Sequence, residues 1–290
     1  MEIKIAKLCG FCAGVNYTIK KATELLEETN DKIYCLGEII HNERVINKLE
    51  NMGMITVDNI NEIPEGSKVI FRAHGEAKKV YEEAKKNNLE IIDLTCGKVR
   101  LVHNKVEKAS SEDFVIIIGK KAHPETIGTL GYAGNNSYVI ENEEDFNNLK
   151  ETFNKSKLNK VYIVAQTTFN DLLFREYIEK IKDLLNAKVI VDNTICDATR
   201  NRQEEVLEMS ESVDKMIIIG GKHSSNTKEL AMVAQENCRE IYLVQELDDL
   251  KDVEFNEKDK VGITAGASTP RESIDEIVNY LKENYNAKEA

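Results

Sequence analysis

The sequence lacks the features of membrane and secreted proteins. Its 290 residues contain no apolar run close to the roughly 20 residues that a membrane-spanning helix needs. The N-terminal segment Met1-Glu2-Ile3-Lys4-Ile5-Ala6 is typical of a β-strand and not of a signal or transit peptide. With 41% hydrophobic and 31% charged residues, the composition is that of a globular protein with a real core. We therefore expect a soluble, cytoplasmic protein.

Positive charge and nucleotide-binding motifs are also scarce. The net charge is −12, which argues against a basic field for nucleic acid or anionic lipid. We therefore expect no nucleic-acid or membrane partner. The sequence has no G-x-x-x-x-G-K-[ST], no G-x-G-x-x-G and no H-E-x-x-H motif. An anionic ligand would have to be held by local donors such as histidines, hydroxyls, amides and helix N-termini.

Short apolar runs alternate with helical patterns along the chain. The runs predicted to be buried strands include 115–118, 161–164, 189–191 and 216–219. Between them, the segment Phe174–Leu185 is predicted to be a helix, with Phe174, Ile178, Ile181 and Leu185 on one face. Strand–helix alternation of this kind predicts an α/β fold with mostly parallel sheets.

A threefold repeat of polar strand ends is the most informative pattern. In each copy, the first strand of the repeat ends just before a polar motif. The three motifs are His41-Asn42, His123-Pro124-Glu125 and Ser224-Ser225-Asn226. The second strand of each copy ends at Ala73-His74-Gly75, Gln166-Thr167-Thr168 or Gly266-Ala267-Ser268. The offsets from His41 to His74, His123 to Thr167 and Ser224 to Ser268 are 33, 44 and 44 residues. This agreement indicates three similar modules.

A third strand of the repeat ends in cysteine. It leads to Cys96 in one copy and to Cys196 in the next, while the last copy has none. The N-terminal strand leading to Cys12 supplies the missing piece, so we expect it to complete the third module. The predicted modules are 13–96, 97–195, and 196–290 together with 1–12, arranged around a pseudo-threefold axis. Ligands of parallel α/β sheets bind beyond the carboxyl ends of the strands, so the polar ends would meet at one centre.

The six cysteines are not expected to form disulfides, since the chain is long and has no secretion signal. One cysteine per module (Cys12, Cys96, Cys196) suits an iron–sulfur cluster with three thiolate ligands and one open iron. Zinc is the alternative metal, and Cys9-Gly10-Phe11-Cys12 also has the spacing of a thioredoxin-like pair. We interpret Cys9 as a neighbour of the metal site or as a core residue. Cys35 and Cys238 are interpreted as packing residues.

The repeat also collects hydrogen-bond donors and one candidate acid. The donors that could cradle a diphosphate without a lysine are His41, His74, Ser224, Ser225, Asn226 and Ser268. Glu125, behind His123, is either a proton source or an acid that complements a helix dipole. His103 and His223 are interpreted as structural or surface residues.

These motifs, in this order and along almost the whole chain, resemble the 4-hydroxy-3-methylbut-2-enyl diphosphate reductases, the IspH/LytB family. The further motifs that carry the resemblance are Gly10-Phe11-Cys12-Ala13-Gly14-Val15, Thr95-Cys96, Thr194-Ile195-Cys196-x-Ala198-Thr199-x-x-Arg202-Gln203 and Thr264-Ala265-Gly266-Ala267-Ser268. Gly97 stands where the family usually has proline, and Cys9 where a non-cysteine is more usual.

The resemblance implies a [4Fe–4S] cluster on Cys12, Cys96 and Cys196 with one open iron. It implies reductive removal of an allylic hydroxyl, which gives isopentenyl and dimethylallyl diphosphate in the last step of the non-mevalonate pathway. Glu125 would be the proton donor, helped by Thr167 and His123. The histidine, serine and asparagine donors would hold the diphosphate.

The electron donor implied by this chemistry is a flavodoxin or a ferredoxin. The alternative in chemistry is a quinolinate-synthase-like dehydratase, which would also use three cysteines and an open iron but performs no net reduction. A non-catalytic iron–sulfur sensor and a zinc-stabilised binding module are the alternatives from other classes.

Overall fold

The chain alternates β-strands with α-helices, as the apolar pattern predicts. The computed structural model describes residues 1–29 and 31–289. The strands are β1 Glu2–Ile5, β2 Ile33–Leu36, β3 Met54–Val57, β4 Lys68–Phe71, β5 Glu90–Asp93, β6 Phe114–Ile118, β7 Ser137–Ile140, β8 Lys160–Ala165, β9 Lys188–Val191, β10 Lys215–Ile219, β11 Glu240–Val244, β12 Lys260–Ala265 and β13 Lys288–Glu289. The helices are α1 Ala13–Glu27, α2 Glu43–Asn51, α3 Lys78–Lys86, α4 Gly97–Ala109, α5 Pro124–Leu130, α6 Glu143–Ser156, α7 Asp171–Leu184, α8 Asp197–Ser210, α9 Ser225–Ala234 and α10 Arg271–Tyr285. Within the described ranges, no helix is both long enough and apolar enough to cross a membrane.

The strands form three sheets that repeat one order. The orders are β3-β2-β4-β5, β7-β6-β8-β9 and β11-β10-β12-β1-β13, and the pairings among described residues are parallel. In the third sheet β1 takes the place that β5 and β9 have in the other two, with Ile3 opposite Val261 of β12. The predicted fold of three similar α/β modules is confirmed. The module boundaries near residues 12, 96 and 196 stay predictions.

The chain divides into two compact units. The terminal unit comprises Met1–Asn16, His41–Ile46 and Asp197–Ala290 and contains the third sheet. The central unit comprises Tyr17–Ile40 and Asn47–Cys196 and contains the other two sheets.

The buried strands of the structure coincide with the apolar runs of the sequence. Every residue of β6 and β10 is buried, as expected for parallel strands that are covered on both faces. The predicted strand runs all lie within strands of the structure. The helix predicted to begin at Phe174 begins at Asp171 in the structure. The Asn170 side chain caps it by accepting the N–H groups of Leu172 and Leu173 at 3.0 and 3.2 Å.

Candidate active site

Three of the six cysteines share one structural setting. Cys12, Cys96 and Cys196 come directly before the first residues of α1, α4 and α8, and they follow β1, β5 and β9. The N–H of each donates to a carbonyl oxygen in the loop that follows a neighbouring strand. The acceptors are Ala267 for Cys12 at 3.1 Å, Ala73 for Cys96 at 3.0 Å and Thr167 for Cys196 at 3.0 Å. All three thiols therefore lie at helix N-termini, which attract negative charge.

The other three cysteines lie in settings that favour the neutral thiol. Burial raises the pKa of Cys9 to about 12, against the smaller effect of the nearby Arg202 and Arg271 charges. Burial also raises the pKa of Cys35 to about 12 and that of Cys238 above its ordinary value. A protonated thiol is a poor metal ligand. These three cysteines are therefore poor candidates for metal ligands.

In the central unit, Glu125 lies in a buried hydrogen-bonded group with two other predicted site residues. His123 caps α5, and its Nδ1 accepts the Glu125 N–H at 3.1 Å. The Glu125 carboxylate accepts the Thr167 N–H at 2.5 Å and the Thr167 hydroxyl at 2.7 Å. His123 and Glu125 follow β6 and Thr167 follows β8, so adjacent parallel strands bring the three residues together.

Burial raises the pKa of Glu125 from 4.5 to about 7, although both hydrogen bonds from Thr167 favour the ionised form. The side chain is only 3% exposed, so the loss of hydration outweighs these two bonds. Near neutral pH the carboxyl group is therefore populated in both protonation states, which is the property required of a proton donor.

His74 lies beside this group, on the loop that follows β4. Its ring centre is 5.4 Å from that of His123, and the two rings are perpendicular. The loop is closed by an ion pair from Arg72 to Glu76, with Nε 3.0 Å from Oε1. Gly75 has a φ of +73°, so a larger residue would be strained there.

His103 supports the same loop and was not predicted to do so. A Cβ atom on Gly75 would lie 2.6 Å from Cε1 of His103, so the imidazole packs directly against the turn that carries His74. The ring stacks on Tyr132 with centres 4.4 Å apart. Burial lowers the pKa of His103 to about 4, which keeps it neutral. Its position in a helical pattern gave no sign of this role.

In the terminal unit, the motif Ser224-Ser225-Asn226 forms the N-terminus of α9. Ser224 caps this helix, and its hydroxyl oxygen accepts the Thr227 N–H at 3.3 Å. Ser225 and Asn226 occupy the first turn and are buried. The neighbouring His223 is exposed. The N-terminus of a helix attracts anions, so the motif is placed where a phosphate group would bind.

The Asn226 side chain is buried beside the N-terminus of α9. It is 4% exposed, and neither Oδ1 nor Nδ2 has a partner among the described residues. The buried hydroxyls of Thr227 and Thr264 have none there either. Buried polar groups are nearly always hydrogen-bonded in native proteins. The buried Asn226 amide is therefore suited to a polar ligand.

His41 and Ser268 lie at the same end of the third sheet. The Ser268 hydroxyl donates to the His41 carbonyl oxygen at 3.4 Å. A Cβ atom on Gly221 would come within 2.4 Å of that same oxygen, so the His41 backbone lies directly against the loop after β10. Asn42 caps α2 by accepting the Val45 N–H at 3.2 Å. The structure thus groups the predicted donors of this unit at one set of strand ends.

The repeat in the sequence predicted that Thr167 occupies the same position in its module as His74. This alignment is wrong by one residue. Ala73, Thr167 and Ala267 accept the three equivalent cysteine N–H groups. His74 and Ser268 are therefore equivalent to Thr168 and not to Thr167. Thr167 contacts Glu125, another predicted site residue, through two hydrogen bonds.

Comparisons with known proteins agree with the sequence motifs. The family model "LytB protein" matches residues 3–282. A 4-hydroxy-3-methylbut-2-enyl diphosphate reductase of Clostridioides difficile is 39% identical over 97% of this chain and 99% of its own length. The corresponding enzyme of Aquifex aeolicus is 40% identical over 98% and 96%.

Solved structures show the same likeness. The structure of the E-1-hydroxy-2-methyl-but-2-enyl-4-diphosphate reductase from Plasmodium falciparum matches with a TM-score of 0.87 and 32% identity, over 99% of this chain and 91% of that one. The structure of an (E)-4-hydroxy-3-methyl-but-2-enyl diphosphate reductase, described as the terminal enzyme of the non-mevalonate pathway, matches with a TM-score of 0.67 and 38% identity, over 98% and 100%. The resemblance predicted from the motifs is confirmed: this chain belongs to the LytB protein family.

Proposed function

We propose that this chain is a 4-hydroxy-3-methylbut-2-enyl diphosphate reductase of the non-mevalonate pathway, the activity that its relatives are named for. The observation that carries the proposal is the common setting of Cys12, Cys96 and Cys196 in front of three helices. A reductase without a nucleotide-binding motif needs another source of electrons. Three thiolates of this kind are suited to an iron–sulfur cluster.

The cluster proposed is a single [4Fe–4S] held by these three cysteines, with one iron left open. The fit rests on the donor set, since soft thiolates select iron–sulfur clusters and each cysteine precedes a helix N-terminus. When bound, such a cluster supplies single electrons and a Lewis-acidic iron. Cys9, Cys35 and Cys238 are not proposed as ligands, because burial raises their pKa values.

The diphosphate of the substrate is proposed to bind the neutral donors. Asn226, with its unused buried amide, would be the central contact in the terminal unit. The other donors proposed are His41, His74, Ser224, Ser225 and Ser268. Hydrogen bonds from the protein to a phosphate oxygen are charge-assisted and strong, so a lysine is not required. Binding energy from this remote group would orient the reacting alcohol.

Glu125 is proposed to donate the proton that leaves with the hydroxyl group. The substrate takes up two electrons and two protons, its allylic C–O bond breaks, and water leaves. Thr167 would hold the Glu125 carboxyl in place through its hydroxyl and N–H groups, and His123 would position the substrate hydroxyl. One hydrogen ends on either of two carbons, which gives isopentenyl or dimethylallyl diphosphate.

The electron donor is proposed to be a flavodoxin or a ferredoxin, because either class delivers the single electrons that the cluster accepts. The cytoplasmic location expected from the sequence stays a prediction.

The proposal is tested by anaerobic purification, with iron and sulfide analysis and EPR spectra recorded with and without the substrate. We expect absorption near about 400 nm from thiolate–iron bonds and a change in the EPR spectrum when the diphosphate is added. Cys12→Ser, Cys96→Ser and Cys196→Ser should each lose this signal, and Cys9→Ser, the matched control, should keep it.

Product analysis tests the reaction itself. With a chemical reductant, mass spectrometry should detect the two isomeric diphosphates and one water released per two electrons. Conversion without electron uptake would instead favour the quinolinate-synthase-like alternative. A colourless protein that contains zinc after anaerobic reconstitution would contradict the cluster.

A further inference from the structure

Arg202 is a buried cation in the terminal unit. It lies on α8 and is 5% exposed. Its guanidinium group donates from Nη1 to the carbonyl oxygen of Ala198 at 2.8 Å and from Nη2 to that of Gly10 at 2.7 Å. Its Nε has no acceptor among the described residues. Both acceptors are neutral carbonyl groups, so these bonds do not balance the charge.

The two carboxylates whose charges act on the nearby Cys9 have other partners. Glu205, one turn further along α8, accepts the N–H groups of Lys7 and Leu8 at 2.6 and 3.0 Å. Asp275 pairs with Arg271, with 2.9 Å between Oδ1 and Nε. No carboxylate in the described part of the chain forms an ion pair with Arg202. The half-buried Arg200, in contrast, pairs with Asp197 at 2.5 Å.

The nearby Cys9 does not supply the missing negative charge. Arg202 and Arg271 lower the pKa of its thiol, but burial raises it more and holds it at about 12. Cys9 is therefore neutral at physiological pH. A buried arginine without a counter-charge is costly to fold, which points to an anion that the protein side chains do not provide.

The hydrogen bond to Gly10 places this cation on the segment that leads to Cys12. Gly10 has a φ of +93°, and a Cβ atom there would lie 3.2 Å from the Thr269 carbonyl oxygen. The turn therefore has little freedom, and Arg202 fixes its carbonyl group two residues before the cysteine. An iron–sulfur centre with thiolate ligands is anionic, and its negative charge increases on reduction.

We propose that Arg202 is the buried counter-charge of the cluster and raises its reduction potential. The proposal rests on the proposed function, because it needs the cluster at Cys12. A fixed positive charge in a region of low dielectric stabilises the reduced state more than the oxidised one. Arg202 is thus a positioning and tuning residue, which acts on the electron-transfer step through charge and through the Cys12 turn.

The test is an EPR-monitored redox titration of the reconstituted protein, with iron and sulfide content measured for each variant. The variants are Arg202→Met, which removes the charge, and Arg202→Lys, which keeps it. Arg239→Met is the matched control, because this exposed arginine of the same unit removes the same net charge. We expect the oxidised-to-reduced ratio at the wild-type midpoint to rise at least about tenfold in Arg202→Met. It should change less than about threefold in Arg202→Lys and in Arg239→Met.

Two outcomes would overturn the inference while leaving the proposed function intact. One is a cluster-loaded Arg202→Met protein with the wild-type midpoint. The other is loss of the cluster from both Arg202→Met and Arg202→Lys, which would show that the guanidinium shape is needed and not its charge. Loss of the cluster from Arg202→Met alone, with a wild-type midpoint in Arg202→Lys, supports the proposed role of the positive charge. A wild-type protein that assembles no cluster would instead contradict the proposed function.

Discussion

In the central unit the Glu125 carboxylate has its hydrogen bonds from the protein itself, through the N–H and hydroxyl of Thr167. In the terminal unit the equally buried amide of Asn226 has no partner among the described residues. Both residues lie in the first turn of a helix that follows a parallel strand. At the same position of the fold, the polar side chain is thus hydrogen-bonded by the protein in the central unit. In the terminal unit it is available to a ligand.

Burial has a different consequence in each case. For an ionisable carboxyl group it changes the protonation equilibrium, which prepares Glu125 to donate a proton near neutral pH. For a neutral amide it leaves hydrogen-bonding capacity unused at a cost of about 1–3 kcal/mol, which a bound polar ligand can recover. We therefore expect substitutions in the central unit to affect turnover and those in the terminal unit to affect substrate binding.

The largest effect is expected for Glu125→Gln. The amide keeps the size of the side chain but supplies no acidic proton, so kcat should fall by ~10² to 10⁴. The measurement is anaerobic turnover with a chemical reductant, with the EPR spectrum recorded to confirm that the cluster is present. Glu144→Gln, on the exposed first turn of α6, is the control and should retain wild-type activity. Turnover by Glu125→Gln within threefold of wild type would remove Glu125 from the mechanism.

The raised pKa of Glu125 can also be tested without turnover, through the pH dependence of the free energy of unfolding. The pKa of this carboxyl group is raised from 4.5 to about 7 in the folded protein, so the proton is bound more tightly when folded. The stabilisation is complete below pH 4.5 and is lost as the pH rises through about 7. The free energy of unfolding of wild type relative to Glu125→Gln should fall by roughly 3 kcal/mol across this range. Chemical denaturation of both holoproteins measures it, and a pH-independent difference would contradict the raised pKa.

In the terminal unit, Asn226→Ala should weaken binding and leave folding intact. We expect KM to rise by about ten- to a hundredfold, equal to about 1.4–3 kcal/mol, since a hydrogen bond to a charged group is lost. The melting temperature of the substrate-free protein should not fall, because the amide has no partner in the described residues. Asn201→Ala, on the exposed face of α8, is the control. A fall in kcat with an unchanged KM would reverse the contrast between the units.

The smallest effect on stability is expected for a substitution of Gly97, the residue after Cys96. Gly97 is the first residue of α4, where proline is favoured, and a Cβ atom there meets nothing within 4 Å. Cys96 has φ −54° and ψ 135°, which a following proline accepts. Gly97→Pro should therefore stabilise the protein by about 0.4–1 kcal/mol through the unfolded state. Thermal unfolding measures this effect, and Gly75→Ala, at a φ of +73°, should destabilise instead. A destabilised Gly97→Pro protein would show that this turn needs glycine.

Several parts of the site were predictable because they depend on local sequence. Repeated strand ends identified three modules, and the cysteine at the end of each separated Cys12, Cys96 and Cys196 from the other three. Prediction was less accurate where equivalence depends on hydrogen bonding between strands. Thr167 and Thr168 are both polar, and only the bond from the Cys196 N–H to the Thr167 carbonyl oxygen establishes the register.

The sequence by itself determined the family, the alternation of strands and helices, and the residue types available for catalysis, because these depend on order and spacing along the chain. Only the tertiary structure decided which of these groups are ionised, satisfied or open. The raised pKa of Glu125 results from burial by residues far away in sequence. So do the buried Asn226 amide and the buried Arg202 charge, neither of which is fully paired within residues 1–29 and 31–289. Desolvation depends on every atom that surrounds a group, and no local pattern records it.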